Sequence, residues 1–243
     1  MRKIKTKKLI QTWNKESESY AFDSRIQPDY LANYYHLEKC FGKLNRKKIL
    51  EVGSGSGQTS AYLATKGALI HLVDISNKSL EFSKKYFDFM KLQVKLYNQN
   101  AFNMKFAENS FDYVWNGGVI EHFDDSKKIL MIKKMWRLVK PGGKLLITAP
   151  NAFDFPFIIA KKILQLRNKW SFGYEDSISI KKMKHLAKLA GISNVEVYAY
   201  NPVVGFWFFP YGREITEVLK LNTLNFHKKK SHFGHVLIMY AKK

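Results

Sequence analysis

Three features of the sequence combine residue type and spacing in ways that could do chemistry. Ile49-Leu50-Glu51-Val52 runs into Gly53-Ser54-Gly55-Ser56-Gly57, three glycines at alternate positions, and a helical pattern begins at Gln58-Thr59. A chain turning from strand to helix at that point needs positive φ, which glycine reaches at no steric cost, and the missing Cβ atoms let a ligand approach the backbone. The turn also presents a helix N-terminus with free N–H groups to a carboxylate or phosphate. Asp74 ends the next strand-like run, 21 residues after Gly53. A carboxylate there can accept hydrogen bonds from both hydroxyls of a ribose, so the pair of features points to an adenosine-type cofactor. The third feature is His122, just beyond a fourth strand-like run. Its imidazole, with an unperturbed pKa of about 6.5, can accept a proton at neutral pH.

The elements that must position these residues alternate along the middle of the chain. Apolar, β-branched runs read as strands at 48–52, 69–74, 94–98, 111–116, 144–149, 194–200 and 235–241, with helical patterns at 59–66, 77–92, 126–139 and 180–190. Pro141-Gly142-Gly143 is expected to end the third of these helices. Such alternation argues for an α/β protein with an open sheet and helices on both faces. Two segments fall outside it. The first 45 residues read as helices with Tyr30, Leu31, Tyr34, Leu37 and Phe41 on one side, and 201–234 is aromatic and irregular around Phe206, Trp207, Phe208 and Phe209. The expected organisation is an N-terminal helical cover over 1–45 and one cofactor-binding domain over 46–243. Insertions at about 151–177 and 201–234 form a substrate cover, since loops carry function.

Which adenosine cofactor follows from the details of the glycine loop. The dinucleotide pattern G-x-G-x-x-G fails because Gln58 stands at its third glycine, and no Gly-Lys-Ser/Thr follows for a Walker loop. Glu51-x-Gly53-x-Gly55-x-Gly57 instead resembles motif I of the class I S-adenosylmethionine-dependent methyltransferases. Asn109-Ser110-Phe111-Asp112-Tyr113-Val114-Trp115-Asn116-Gly117-Gly118 and the Glu121-His122 pair resemble that family's fourth strand and following loop. Trp136-Arg137-Leu138-Val139-Lys140-Pro141-Gly142-Gly143 resembles the turn before its fifth strand, and Ala149-Pro150-Asn151 closes that strand. The likeness spans roughly 48–151 and is greatest to the type-11 group, which includes ubiquinone and menaquinone methyltransferases.

The resemblance implies a Rossmann-like, doubly wound, seven-stranded sheet, mostly parallel with an antiparallel last strand. It implies S-adenosylmethionine as methyl donor and S-adenosylhomocysteine as product. Gly53, Ser54 and Gly55 would then offer backbone groups to the methionine end, Asp74 would hold the ribose and Ile75 would flank the adenine. Asn100 stands where the family places an Asp, and its amide can both accept from and donate to the base. Ala101 and Phe102 adjoin it, and Phe102 either packs on the base or is core. Asn116 and Gly117 lie where the family's backbone meets the cofactor's amino group, and Tyr20 where relatives place an aromatic over the cofactor. Trp13 and Tyr30 read as packing residues. His122 is the candidate general base, with Glu121-His122 as a loop-shaping pair the alternative.

Charge and composition narrow the acceptor only coarsely. The 243 residues carry 41 Lys plus Arg against 20 Asp plus Glu, a formal charge of +21. That excess suits an anionic acceptor, a membrane surface or nucleic acid, and equally a Lys-rich genome. The loop after the fourth strand lacks the Asp/Asn-Pro-Pro-aromatic signature of enzymes that methylate exocyclic base amines. This leaves a small molecule, anionic or lipid-linked, as the first reading. A nucleic-acid methyltransferase and a non-catalytic cofactor-binding protein are the alternatives. Cys40 stands alone, which excludes an intramolecular disulfide and a Cys-based zinc site. His227, His232 and His235 surround a Lys run without a neighbouring Cys or carboxylate, and no metal site is expected. No signal peptide and no apolar run of about 18 residues stands out, so the expectation is a cytoplasmic protein, with peripheral membrane contact left open.

Overall fold

A computed structural model describes residues 6–22 and 28–243. In chain order the elements are α1 (Thr6–Glu16), α2 (Pro28–Phe41), β1 (Lys48–Val52), α3 (Gln58–Thr65), β2 (Leu69–Asp74), α4 (Asn77–Phe89), β3 (Val94–Asn98) and β4 (Phe111–Gly117). There follow α5 (Asp125–Leu138), β5 (Val139–Pro150), α6 (Phe155–Leu166), α7 (Ile180–Leu189), β6 (Glu196–Tyr200), α8 (Gly212–Val218), α9 (Leu224–His227) and β7 (Val236–Lys242). The seven strands form one sheet in the order β3-β2-β1-β4-β5-β7-β6. β1, β2, β3, β4 and β5 pair in parallel, and β7 runs antiparallel to both β5 and β6. The sheet is the α/β architecture the alternation implied, with the antiparallel last strand.

Strand alternation sends successive side chains to opposite faces, and each face meets its own helices. Leu50, Val52 and Val114 pack with Met131, Met135 and Leu138 of α5 and Met183 of α7. Ile49, Tyr113 and Trp115 pack on the other side with Leu63 of α3, Phe87 of α4 and Leu37 and Phe41 of α2. Helix ends follow local chemistry. The Ser76 hydroxyl accepts from the Ser79 N–H to start α4, and the Asp124 carboxylate accepts from the Lys127 N–H to start α5.

One boundary differs from the sequence expectation. α5 ends at Leu138, before Pro141, and the chain is already in β5 at Val139. Phe111 pairs with Val139 and Tyr113 with Lys144, so Lys140-Pro141-Gly142-Gly143 is an irregularity inside the strand rather than a helix stop. Gly142 takes φ +76°, and a Cβ at Gly143 would press on the Asp112 carbonyl at 2.5 Å, which is why small residues occupy this point. In the N-terminal region α1 and α2 form as helices, and the side chain of Tyr30 lies outside the described residues. Leu37 and Phe41 are buried, and Tyr34 stacks on Tyr62 with ring centroids 3.8 Å apart.

Candidate active site

The strand order reverses between β1 and β4, and open α/β sheets place ligands at the carboxyl ends of the strands flanking such a reversal. A cavity of about 390 Å³ lies there. Glu51, Gly53, Ser54 and Gly55 after β1, Asp74 and Ile75 after β2, Gln99, Asn100, Ala101 and Phe102 after β3, and Gly117, Gly118, Val119 and His122 after β4 line it. Its remaining wall comes from Leu9, Trp13 and Tyr20 of the N-terminal segment and Asn33 and Leu37 of α2, together with Tyr200, Val236 and Ile238 at the antiparallel end of the sheet. Residues 201–234 contribute nothing to this lining, whereas the N-terminal segment, expected as a cover alongside the insertions, does. α1 is held down at its far end: the Ser76 hydroxyl lies 2.7 Å from Asn14 Oδ1, and Lys78 pairs with Glu18 at 2.8 Å.

The glycine loop is arranged differently from a nest of free donors. The N–H groups of Gly53 and Ser54 both donate to the Val73 carbonyl, at 2.7 and 3.1 Å, and that of Gly55 to Asp74 Oδ2 at 2.9 Å. Of the backbone groups expected to meet a ligand at these three residues, the N–H donors are therefore already engaged. The loop needs its glycines all the same. A Cβ on Gly53 (φ +71°) would overlap Val119, and one on Gly55 (φ +51°) would come 3.0 Å from the Tyr20 hydroxyl. Gly57 lies off the cavity. At φ +68° it starts α3, and a Cβ there would meet Leu72 at 2.7 Å and Ser83 at 2.9 Å, so its task is helix–sheet packing. Asn116 also lies behind the wall. It is fully buried, and its Nδ2 donates to the Val52 carbonyl at 2.6 Å, tying the end of β4 to the end of β1.

What the cavity offers is mainly acceptors. Glu51 Oε2, Ser54 Oγ and Ser79 Oγ, all on lining residues, are buried without a hydrogen-bond partner among the described residues. Burial raises the Glu51 carboxyl well above its ordinary range, a Ser60 hydrogen bond opposing it. Asp74 Oδ1 accepts from the Ser76 N–H at 2.8 Å, and a carboxylate oxygen can accept more than one hydrogen bond. Burial raises the Asp74 pKa, and the N–H groups of Ser76 and Gly55 oppose that shift. The Asn100 Oδ1 accepts from the Phe102 N–H at 2.9 Å, which leaves its amide N–H₂ as the freer group. Unpartnered buried acceptors beside apolar Ile75, Ala101 and Phe102 fit a flat heterocycle carrying hydroxyls and a cationic end, which is the make-up of S-adenosylmethionine.

His122 stands on the same wall, 4% exposed. Its Nδ1 lies 2.8 Å from the Tyr174 carbonyl, which can only accept, so the proton sits on Nδ1 and Nε2 is the basic nitrogen. The Trp13 ring meets it edge-on with centroids 5.1 Å apart. Burial lowers the His122 pKa, the Tyr174 carbonyl opposing. Its neighbour Glu121 is buried behind the cavity, with Oε1 4.0 Å from His122 Nε2. Burial and the nearby Glu175 push Glu121 up to about 8, against the pull of Lys161 and Lys128, so both members of the pair are neutral at pH 7. Two of the other histidines are paired elsewhere: His235 Nδ1 with Asp154 at 2.6 Å and His227 Nδ1 with Asn201 at 3.1 Å. The partner of His235 is a carboxylate distant in sequence.

Trp13, Asn33 and Tyr200 were not anticipated as cavity residues. Trp13 carries a faint signal, since Leu9 and Trp13 are four apart and share a helix face. Asn33 and Tyr200 carry none, because 167 residues separate them and only the folded chain brings the Tyr200 hydroxyl 2.9 Å from Asn33 Oδ1.

The chain is similar to known methyltransferases in sequence and fold. The family model described as a methyltransferase domain matches residues 50–147. A ubiquinone biosynthesis O-methyltransferase of Pasteurella multocida is 26% identical over 220 residues, covering 84% of this chain and 89% of that protein. Among solved structures, an S-adenosylmethionine-dependent methyltransferase of Thermotoga maritima superposes with a TM-score of 0.61 at 19% identity, over 88% of this chain and 89% of that one. A Haemonchus contortus phosphoethanolamine N-methyltransferase, in complex with S-adenosylhomocysteine, gives a TM-score of 0.60 at 22% identity, over 86% of this chain and 52% of that one. The last two establish the shared fold, and the matched residues 50–147 run from β1 to β5. The chain is an S-adenosylmethionine-dependent methyltransferase whose residues 50–147 match a methyltransferase domain.

Proposed function

We propose that this methyltransferase acts on a hydroxyl oxygen of a small molecule with an apolar body, and that His122 is its general base. The observation that carries the reading is the fixed tautomer of His122: the Tyr174 carbonyl holds the Nδ1 proton, so a residue lining the cavity carries a neutral, basic Nε2. A hydroxyl is a poor nucleophile until its proton leaves, and a positioned imidazole removes it as the oxygen attacks. When bound, S-adenosylmethionine supplies a sulfonium methyl already activated for displacement. The O-methyltransferase name of the Pasteurella relative supports an oxygen acceptor.

The chain's own residues then divide the work. Asp74 would accept from the ribose hydroxyls, and Ile75, Asn100, Ala101 and Phe102 would hold the base. Glu51, the Gly53 carbonyl and Ser54 would meet the methionine end, with Gly117 on the side opposite Asp74. Tyr20 and α1 would close over the bound cofactor as a cover. On the acceptor side Leu37, Trp115, Val236 and Ile238 make an apolar wall. Asn33 would orient the acceptor. Its Oδ1 takes hydrogen bonds from the Tyr200 hydroxyl at 2.9 Å and Asn201 Nδ2 at 3.4 Å, which turns its amide N–H₂ toward an acceptor oxygen.

The test is turnover of a panel of phenols and matched amines, read as S-adenosylhomocysteine release. His122→Ala is expected to lower kcat on hydroxyl acceptors by about 10²–10⁴-fold while leaving cofactor affinity within about twofold. Turnover that His122→Ala leaves unaltered across pH would remove His122 as base, and turnover of amines alone would remove the oxygen acceptor.

A further inference from the structure

The segments that take no part in the cavity build a surface of their own. Asp154, buried and paired with His235, caps α6. One side of that helix, Phe157 and Ala160, is buried against the protein. The other side shows Phe155, Ile159, Ile163 and Leu166, spaced four, four and three apart along one helix face, all exposed, Leu166 at 79%. The 204–208 turn packs on α6, and α8 packs on that turn. α8 and its end leave Ile215, Val218 and Leu219 exposed, Val218 at 81%. The rings of Phe153, Phe155 and Phe233 lie 6.2, 6.4 and 6.5 Å from one another and extend the apolar face of α6 onto the chain before β7. A contiguous apolar face of this kind marks an interaction site.

Its rim decides the partner. Residues 151–170 contain four basic residues, Lys161, Lys162, Arg167 and Lys169, and a single acid, the buried Asp154. Lys162, Arg167 and Lys169 are exposed on α6 and just beyond it. α8 and its end add Arg213 and Lys220 against Glu214 and Glu217. A second copy of this chain would bring the same cations, and a net +21, against themselves. An apolar helix face flanked by exposed cations matches the chemistry of a bilayer interface containing anionic lipid.

We propose that this face seats the protein on an anionic membrane surface, with α6 lying in the interface plane. The loop leaving α6 packs Trp170 on Phe157 and reaches Tyr174, whose carbonyl holds His122. The seated face is therefore one loop away from the cavity wall. Among the described residues no helix is long and apolar enough to span a membrane, so the contact is peripheral.

The experiment is sedimentation with vesicles of phosphatidylcholine alone or with about 30% phosphatidylglycerol. Binding to the anionic vesicles is expected, weaker by about tenfold or more on phosphatidylcholine alone. Ile159→Glu/Ile163→Glu should lower vesicle affinity by more than about tenfold with an unchanged Tm and cofactor affinity, since both side chains are exposed and neither lines the cavity. Lys162→Gln/Lys169→Gln, which leaves the apolar face intact, should reduce only the preference for phosphatidylglycerol. Absence of binding to the anionic vesicles overturns the proposal, as does binding that neither variant alters. A dimer in light scattering that Ile159→Glu/Ile163→Glu disperses, without vesicle binding by the unaltered protein, assigns the face to a second copy and also overturns it. Vesicle binding is read without turnover, so its failure and the failure of the oxygen-acceptor reading are told apart.

Discussion

Asp74 does two jobs at once, and that shapes what its removal does. Its oxygens already accept from the N–H groups of Gly55 and Ser76, fixing the turns after β1 and β2, while facing the cavity. Asp74→Ala should therefore weaken S-adenosylmethionine binding by about 10–100-fold, the value of one hydrogen bond to a charged group. Asp74→Asn, which keeps one acceptor oxygen, should lose less. Titration calorimetry separates the two, and unchanged affinity in Asp74→Ala would refute the ribose role. Glu121 has the opposite character. Burial holds it neutral up to about 8 from an ordinary 4.5. A carboxyl whose folded pKa is raised loses stability as pH rises from 4.5 towards 8, because the unfolded chain ionises first. Glu121→Gln should flatten the fall of Tm over that interval.

At the scale of elements, α1 matters most for the chemistry. It supplies Leu9 and Trp13 to the cavity, and the Trp13 ring shields His122. Burial is what lowers the His122 pKa, so Trp13→Ala, by admitting water, should raise it toward its ordinary 6.5. The acid limb of the pH–rate profile should move up with it; a limb that stays in place would show that α1 does not set the environment of His122. A different element tests the join between α6 and the 204–208 turn. A Cβ on Gly205 would overlap the Asp154 carboxylate, the group that pairs His235 and caps α6. Gly205→Ala should cost about 1–3 kcal/mol in chemical denaturation, the range for overpacking a close contact.

Over the whole molecule, buried histidines set the acid side of stability. His36, His71 and His227 are each lowered from 6.5 to about 4, with burial the leading cause in all three. A histidine with a depressed folded pKa stays neutral while the unfolded chain takes up a proton. Its contribution is present above 6.5 and is lost as pH falls from 6.5 to about 4. The three histidines therefore pull Tm down across that window against the opposite slope from Glu121, and substituting any one of the three by a neutral isostere should weaken that downward pull.

The chain's local chemistry was enough to specify the sheet. Alternating apolar residues commit β1, β2 and β4 to two buried faces, and Gly53, Gly55 and Gly57 specify a tight strand-to-helix turn. These depend on neighbours a few residues away. The same holds for Asp74, which needs only to end β2, and for His122, which needs only to follow β4. Local patterning offered both the N-terminal helices and the aromatic 201–234 region as covers, and could not say which of them lines the cavity; the N-terminal helices do. Nor could it show that the loop N–H groups of Gly53, Ser54 and Gly55 are already bonded within the protein, or that Asn116 lies behind the wall. Asn33 meets Tyr200, and the Tyr174 carbonyl fixes the tautomer of His122, across 167 and 52 residues of chain. Side-chain hydrogen bonds at such separations leave no periodic trace in sequence, because they depend on how elements pack and not on the spacing within any one of them. Local patterning thus determined the frame and the cofactor end of the site, whereas tertiary packing decided the cover, the basic nitrogen and the apolar face left open to its surroundings.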